Sequence, residues 1–134
     1  MKKVISALLL SAMVLTFGGA TFAKANGGSI DGSFNTYGGK GYLDGSAQAK
    51  YYHLTPGNVT ANLTSYSGTG NMYLYLYEQT SGSGLNYYGV NTVNSTGAYR
   101  YKVGLDSYHY FLYATGSNNY TTYSFSGTMY DYYY

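Results

Sequence analysis

The chain of 134 residues carries 21 tyrosines, 19 glycines, one proline, no tryptophan and no cysteine, with seven basic residues against five acidic. The lack of cysteine excludes disulfides, thiolate metal sites and thiol catalysis. So small a charge excludes the electropositive footprint that nucleic-acid binding requires.

Lys2 and Lys3 precede an apolar run from Val4 to Leu15, which Thr16, Gly18 and Gly19 then interrupt. A membrane-crossing helix needs about 20 apolar residues. Residues 1–25 therefore read as a cleavable signal peptide of bacterial type. Small residues allow cleavage after Ala23, in Thr21-Phe22-Ala23, or after Ala25, in Ala23-Lys24-Ala25; the second is preferred. No cysteine follows the run, so a lipid anchor is not expected. Removing the leader takes Lys2 and Lys3 with it and leaves a nearly neutral chain. The expectation is a secreted, extracellular protein with no membrane span in its mature form and no nucleic-acid partner.

Residues 26–38 form a Gly-rich lead-in, loose or making one edge strand. A short strand is expected at Gly41-Tyr42-Leu43 and is ended by the Asp44-Gly45 turn signal. A second runs over residues 49–54, up to the turn at Thr55-Pro56-Gly57-Asn58. In the third, Val59, Ala61 and Leu63 alternate with Thr60, Asn62 and Thr64, the period of a half-buried strand. The fourth alternates strictly: Met72, Leu74 and Leu76 toward the core, Tyr73, Tyr75 and Tyr77 away from it.

A fifth strand covers residues 85–93. In the sixth, Arg100 and Lys102 mark the solvent face and assign Tyr99, Tyr101 and Val103 to the core. The seventh, residues 108–115, is apolar on both faces: Tyr108, Tyr110 and Leu112 are expected inward, His109, Phe111 and Tyr113 outward. The last spans residues 120–130, bent or bulged at Gly127. Short strands recurring about every ten residues, with turn signals between them, describe an all-β fold. The expected architecture is a single antiparallel β-sandwich of about eight strands over residues 39–134.

The runs Tyr51-Tyr52-His53-Leu54, Met72-Tyr73-Leu74-Tyr75-Leu76-Tyr77, Tyr108-His109-Tyr110-Phe111-Leu112-Tyr113 and Tyr123-Ser124-Phe125 resemble the bacterial pre-peptidase C-terminal domain. The resemblance covers roughly residues 39–127 and rests on aromatic and aliphatic patterning. It implies a jelly-roll-like sandwich of the kind appended to secreted exoenzymes, and it carries no catalytic signature.

Ionisable groups are few, and no nucleophile or metal-ligand motif joins them. Asp106, Ser107 and His109 lie close in sequence, but a triad is a three-dimensional arrangement with no local signature. Asp44 and Asp106 sit in loops that an oxygen-only calcium site could use, yet no spacing selects one. The chain is therefore expected to be non-enzymatic, with no metal and no cofactor. What it has in excess is tyrosine set among Ser, Gly and Asn, a mixture suited to recognition because tyrosine offers rigid amphipathic contact. Tyr73, Tyr75, Tyr77, His109, Phe111 and Tyr113 are the candidate ligand-binding residues, for an extracellular glycan, the cell wall or a protein surface. The same rows also serve as ordinary cross-strand packing, and the sequence leaves both roles open. Self-assembly into an extracellular matrix and a small secreted toxin or bacteriocin are the alternative functions.

Overall fold

The computed structural model describes residues 26–39, 41–45, 48–82 and 84–131. The signal-peptide reading, with its two cleavage sites, lies outside the described residues. Among those described, nine strands follow in chain order: β1 (Gly27–Asn35), β2 (Tyr42–Leu43), β3 (Tyr52–Leu54), β4 (Gly57–Ser67), β5 (Met72–Gln79), β6 (Leu85–Val93), β7 (Gly97–Val103), β8 (Ser107–Gly116) and β9 (Thr122–Asp131).

The strands make two antiparallel sheets. One has the order β1-β9-β4-β7; in the other, β2, β8, β5 and β6 are neighbours in that order and β3 also pairs with β8. The chain changes sheet at most of its connections. This is the two-layered, all-β sandwich the alternating pattern predicts.

The strand beyond the eight expected is β1. Residues 27–35, in the stretch read as a loose lead-in or one edge strand, form an edge strand that pairs with β9 along its whole length, Ile30 opposite Gly127 and Phe34 opposite Tyr123. Ile30, Gly32 and Phe34 alternate inward with Asp31 and Ser33 outward, and Ile30 and Phe34 join the core. Three inward positions suffice, because a strand needs only one buried face to be held.

Between the sheets lie Leu54, Val59, Ala61, Leu63, Met72, Leu74, Leu76 and Leu112, all fully buried or nearly so. Each large aliphatic removed from water contributes roughly 1.5–3 kcal/mol. Tyrosines complete this layer where a hydroxyl finds an acceptor: Tyr101 donates to the Leu74 carbonyl at 2.6 Å and Tyr110 to the Leu105 carbonyl at 2.6 Å. Tyr99 packs against the same core while only partly buried.

Register shifts shape the sheets, two of them at glycines. The β9–β4 register shifts between Ser126 and Gly127, at the predicted bulge. A Cβ on Gly127 would lie 1.9 Å from the Asn62 carbonyl oxygen, so only glycine lets the two backbones close. The β5–β6 register shifts between Tyr75 and Tyr77, and Gly89 on β6 takes a φ of 122° there, a conformation that other residues rarely adopt.

One side chain departs from expectation. Tyr108, expected inward with Tyr110 and Leu112, is 67% exposed. The β3–β8 pairing slips between Tyr52 and Leu54, bringing Leu54 opposite Ser107, and the strict alternation that holds from Tyr110 onward fails at the start of β8.

Candidate functional site

The outer face of the five-stranded sheet is built by period two. With Met72, Leu74 and Leu76 inward, β5 presents Tyr73, Tyr75, Tyr77 and Gln79 outward. Pairing then sets neighbours beside them: Tyr75 faces Tyr113 and Tyr77 faces Phe111 on β8, while Tyr77 faces Tyr87 on β6. The bulge at Gly89 brings Tyr87 into that row.

The rings touch continuously. Tyr77 lies 5.8 Å from Phe111, 5.5 Å from Tyr87 and 6.3 Å from Tyr75, centroid to centroid. Tyr75 lies 5.5 Å from Tyr113. At the sheet edge, the Tyr51 ring stands perpendicular to Phe111 at 6.3 Å and to His109 at 5.4 Å. Separations of this size fall in the attractive range for aromatic pairs.

Of the six residues singled out from sequence, five are drawn into this array; Tyr73 shares the face but lies toward its end, opposite Thr92 and Thr115. Phe111 is outward as expected but only 5% exposed. Tyr51, Tyr77 and the Gly45 backbone cover it, so it is a floor for the site and not a contact surface. Sequence reasoning missed Tyr51, Tyr87, Leu43, Leu85 and Gln79. Tyr87 and Leu85 were legible in principle from the alternation of β6, whereas Tyr51 precedes β3 and reaches the face only through the way that strand joins the edge.

A cleft of about 330 Å³ opens beside the row, lined by Leu43, Gly45, Tyr77, Gln79, Leu85 and Tyr113 with Asp44 and Phe111 beneath. The amide at its rim is held in place: Gln79 Oε1 accepts from the neighbouring Tyr51 hydroxyl at 2.8 Å. Burial, and then the neighbouring phenols of Tyr75, Tyr87 and Tyr113, push the Tyr77 hydroxyl above the ordinary tyrosine range. Tyr75, Tyr77, Tyr87 and Tyr113 thus form one contiguous cluster of phenols.

Asp44 contributes no open carboxylate. It is 1% exposed, accepts a short hydrogen bond from the Tyr42 hydroxyl, and accepts another from Tyr52 at 3.3 Å. Burial holds its carboxyl above the usual aspartate range in spite of these donors.

The local Asp106, Ser107, His109 sequence does not converge. Asp106 pairs with His53 at 2.8 Å, Tyr108 stacks on His53 at 3.8 Å, and Ser107 Oγ accepts the His109 backbone N–H at 3.1 Å. Among the described residues, no group of three His, Cys, Asp or Glu side chains could hold a metal ion.

The opposite outer face, on the four-stranded sheet, is polar. Ser33 and Ser124 hydroxyls lie 3.2 Å apart, Asn35 donates to Thr122 at 2.9 Å, and Asn62, Arg100 and Lys102 extend the surface. The fold and site thus define a cysteine-free β-sandwich with one aromatic and one polar outer face. No protein-family model matches the chain, and a search of curated proteins finds no similar sequence.

Proposed function

We infer that this chain is a secreted, non-catalytic binding module whose aromatic face recognises an extracellular polysaccharide. The asymmetry of the two outer faces carries the reading. Ordinary strand propensity favours tyrosine on any sheet surface, and here Tyr73, Tyr75, Tyr77, Tyr87 and Tyr113 gather on one face, while the other carries Ser, Thr and Asn with Asp31, Arg100, Lys102 and Tyr130. Uncharged sugar rings have apolar faces that pack on aromatic rings and hydroxyls that exchange hydrogen bonds with phenols. A cleft with hydroxyls and an amide but no open carboxylate suits such a neutral polyol better than it suits an ionic ligand. The resemblance to the pre-peptidase C-terminal domain, itself a non-catalytic accessory fold, is in keeping with this assignment.

The test is retention of the mature protein on insoluble glycans and cell-wall fractions. Tyr77→Ala combined with Tyr87→Ala is expected to weaken retention by about tenfold or more, equivalent to ~1.4 kcal/mol. Ser33→Ala with Ser124→Ala, on the polar face, serves as the control and leaves retention intact. Equal retention by the tyrosine double variant overturns the site. Concentration-dependent sedimentation that the double variant abolishes assigns the face to self-assembly instead.

A further inference from the structure

Asp131 closes β9 and is 0% exposed. Its Oδ1 accepts the backbone N–H of Asn26 at 2.8 Å, and its Oδ2 accepts the Thr55 N–H at 2.6 Å and the Thr55 hydroxyl at 2.8 Å. The Asn26 side-chain amide lies 3.5 Å from Oδ2, and the Asp131 N–H donates to the Asn26 carbonyl at 3.1 Å. One carboxylate thus ties together the lead into β1, the end of β9 and the Thr55-Pro56 turn that carries the chain from one sheet to the other.

Among the described residues no cation pairs with this carboxylate. Among the described residues the one ion pair is His53 with Asp106, on the surface. A fully buried carboxylate without a positive partner is costly even when hydrogen-bonded. The nitrogen nearest Oδ1 belongs to Asn26, and Asn26 directly follows Ala23-Lys24-Ala25, one of the two sequences that fit signal-peptide cleavage.

We propose that the mature chain begins at Asn26 and that its new α-ammonium is the counter-ion of Asp131. The proposal rests on the export reading and is independent of what the aromatic face binds. Hydrolysis of the bond between the Ala25 carbonyl carbon and the Asn26 nitrogen consumes one water. It leaves a carboxylate on Ala25 and an ammonium on Asn26. Before cleavage that nitrogen is an amide offering one neutral hydrogen bond; afterwards it offers three donors and a full charge, held where β1 already pairs with β9. Charge-assisted hydrogen bonds of this type are roughly twice as strong as neutral ones. Cleavage after Ala23 would leave Lys24 and Ala25 in place, and the Asn26 nitrogen would stay an amide. Removal of the leader therefore completes the bond that fastens the first strand to the last, and the exported domain is more stable than its precursor.

The experiment has two readings on protein secreted from a bacterial host. Intact mass and N-terminal sequencing are expected to give Asn26 as the first residue; a chain starting at Lys24 overturns the assignment. Selective acetylation of the α-amine then removes its charge while keeping one N–H, with lysine modification excluded by mass. Acetylation is expected to lower the thermal midpoint by about 5–10 °C for a domain of this size. An unchanged midpoint shows that the ammonium does not pair with Asp131 and overturns the proposal. Asp131→Asn, where it folds, removes the acetylation effect; an effect that persists in this variant also overturns it. The acetylation comparison on the native sequence decides the matter even where the variant fails to fold.

Discussion

The two outer faces of the sandwich share one inner layer and differ in almost everything else. Behind both lie aliphatic side chains set by alternation. In front of one stands the row Tyr87, Tyr77, Phe111 and Tyr51, crossing the strands; in front of the other, Ser33, Ser124, Asn35 and Thr122 exchange short polar hydrogen bonds. Both solutions satisfy a β-sheet exposed to water. Folding alone therefore does not require the aromatic face, and the difference supports the proposal that this face is the binding surface.

The contrast can be broken at several levels, and the largest effect is alkaline. Burial pushes the hydroxyls of Tyr42, Tyr52, Tyr101 and Tyr110 well above the ordinary tyrosine range. For Tyr42 and Tyr52 the negative charge of Asp44 adds to burial. A folded-state value raised above the unfolded one means that the unfolded chain releases its proton first. The stabilisation is complete below about pH 10 and is lost as pH rises beyond it. Cooperative unfolding above that pH, coinciding with phenolate absorbance, is the expected result; ionisation of these phenols without loss of near-UV ellipticity would contradict it.

Next in size, Phe111→Ala is expected to cost about 3 kcal/mol, as for a core position, although the residue lies on the outer side of the sheet. Tyr87→Ala, two strands away on the same face, should cost under about 1 kcal/mol, the worth of a cross-strand pair. Urea denaturation of the two variants compares them directly, and equal losses would mean that the face is uniformly structural. The smallest effect belongs to the polar face: Ser33→Ala with Ser124→Ala is expected to change stability by no more than about 0.5 kcal/mol.

Much of this arrangement was legible before any coordinates. Met72, Leu74 and Leu76 against Tyr73, Tyr75 and Tyr77, or Val59, Ala61 and Leu63 against their polar neighbours, are separated by the pleat itself. The pleat is a local property of an extended backbone. Gly127 announced its bulge for a similar reason, since a missing side chain marks close backbone approach. The same rule failed at Tyr108, where the slip in β3–β8 pairing depends on a partner strand more than 50 residues earlier. It was incomplete at residues 27–35, whose few inward side chains gain meaning only against β9.

The sequence by itself determined that this is a two-layered β protein and which side of most strands meets the core, because alternation needs no knowledge of neighbours. Only the tertiary structure decided which strands stand side by side. That choice set Tyr87 and Phe111 against Tyr77, sealed Phe111 under Tyr51, and brought the nitrogen of Asn26 to the buried carboxylate of Asp131, 105 positions away. Contacts of that kind are fixed by strand order and register, which burial of the whole core selects at once and which no local run of residues encodes.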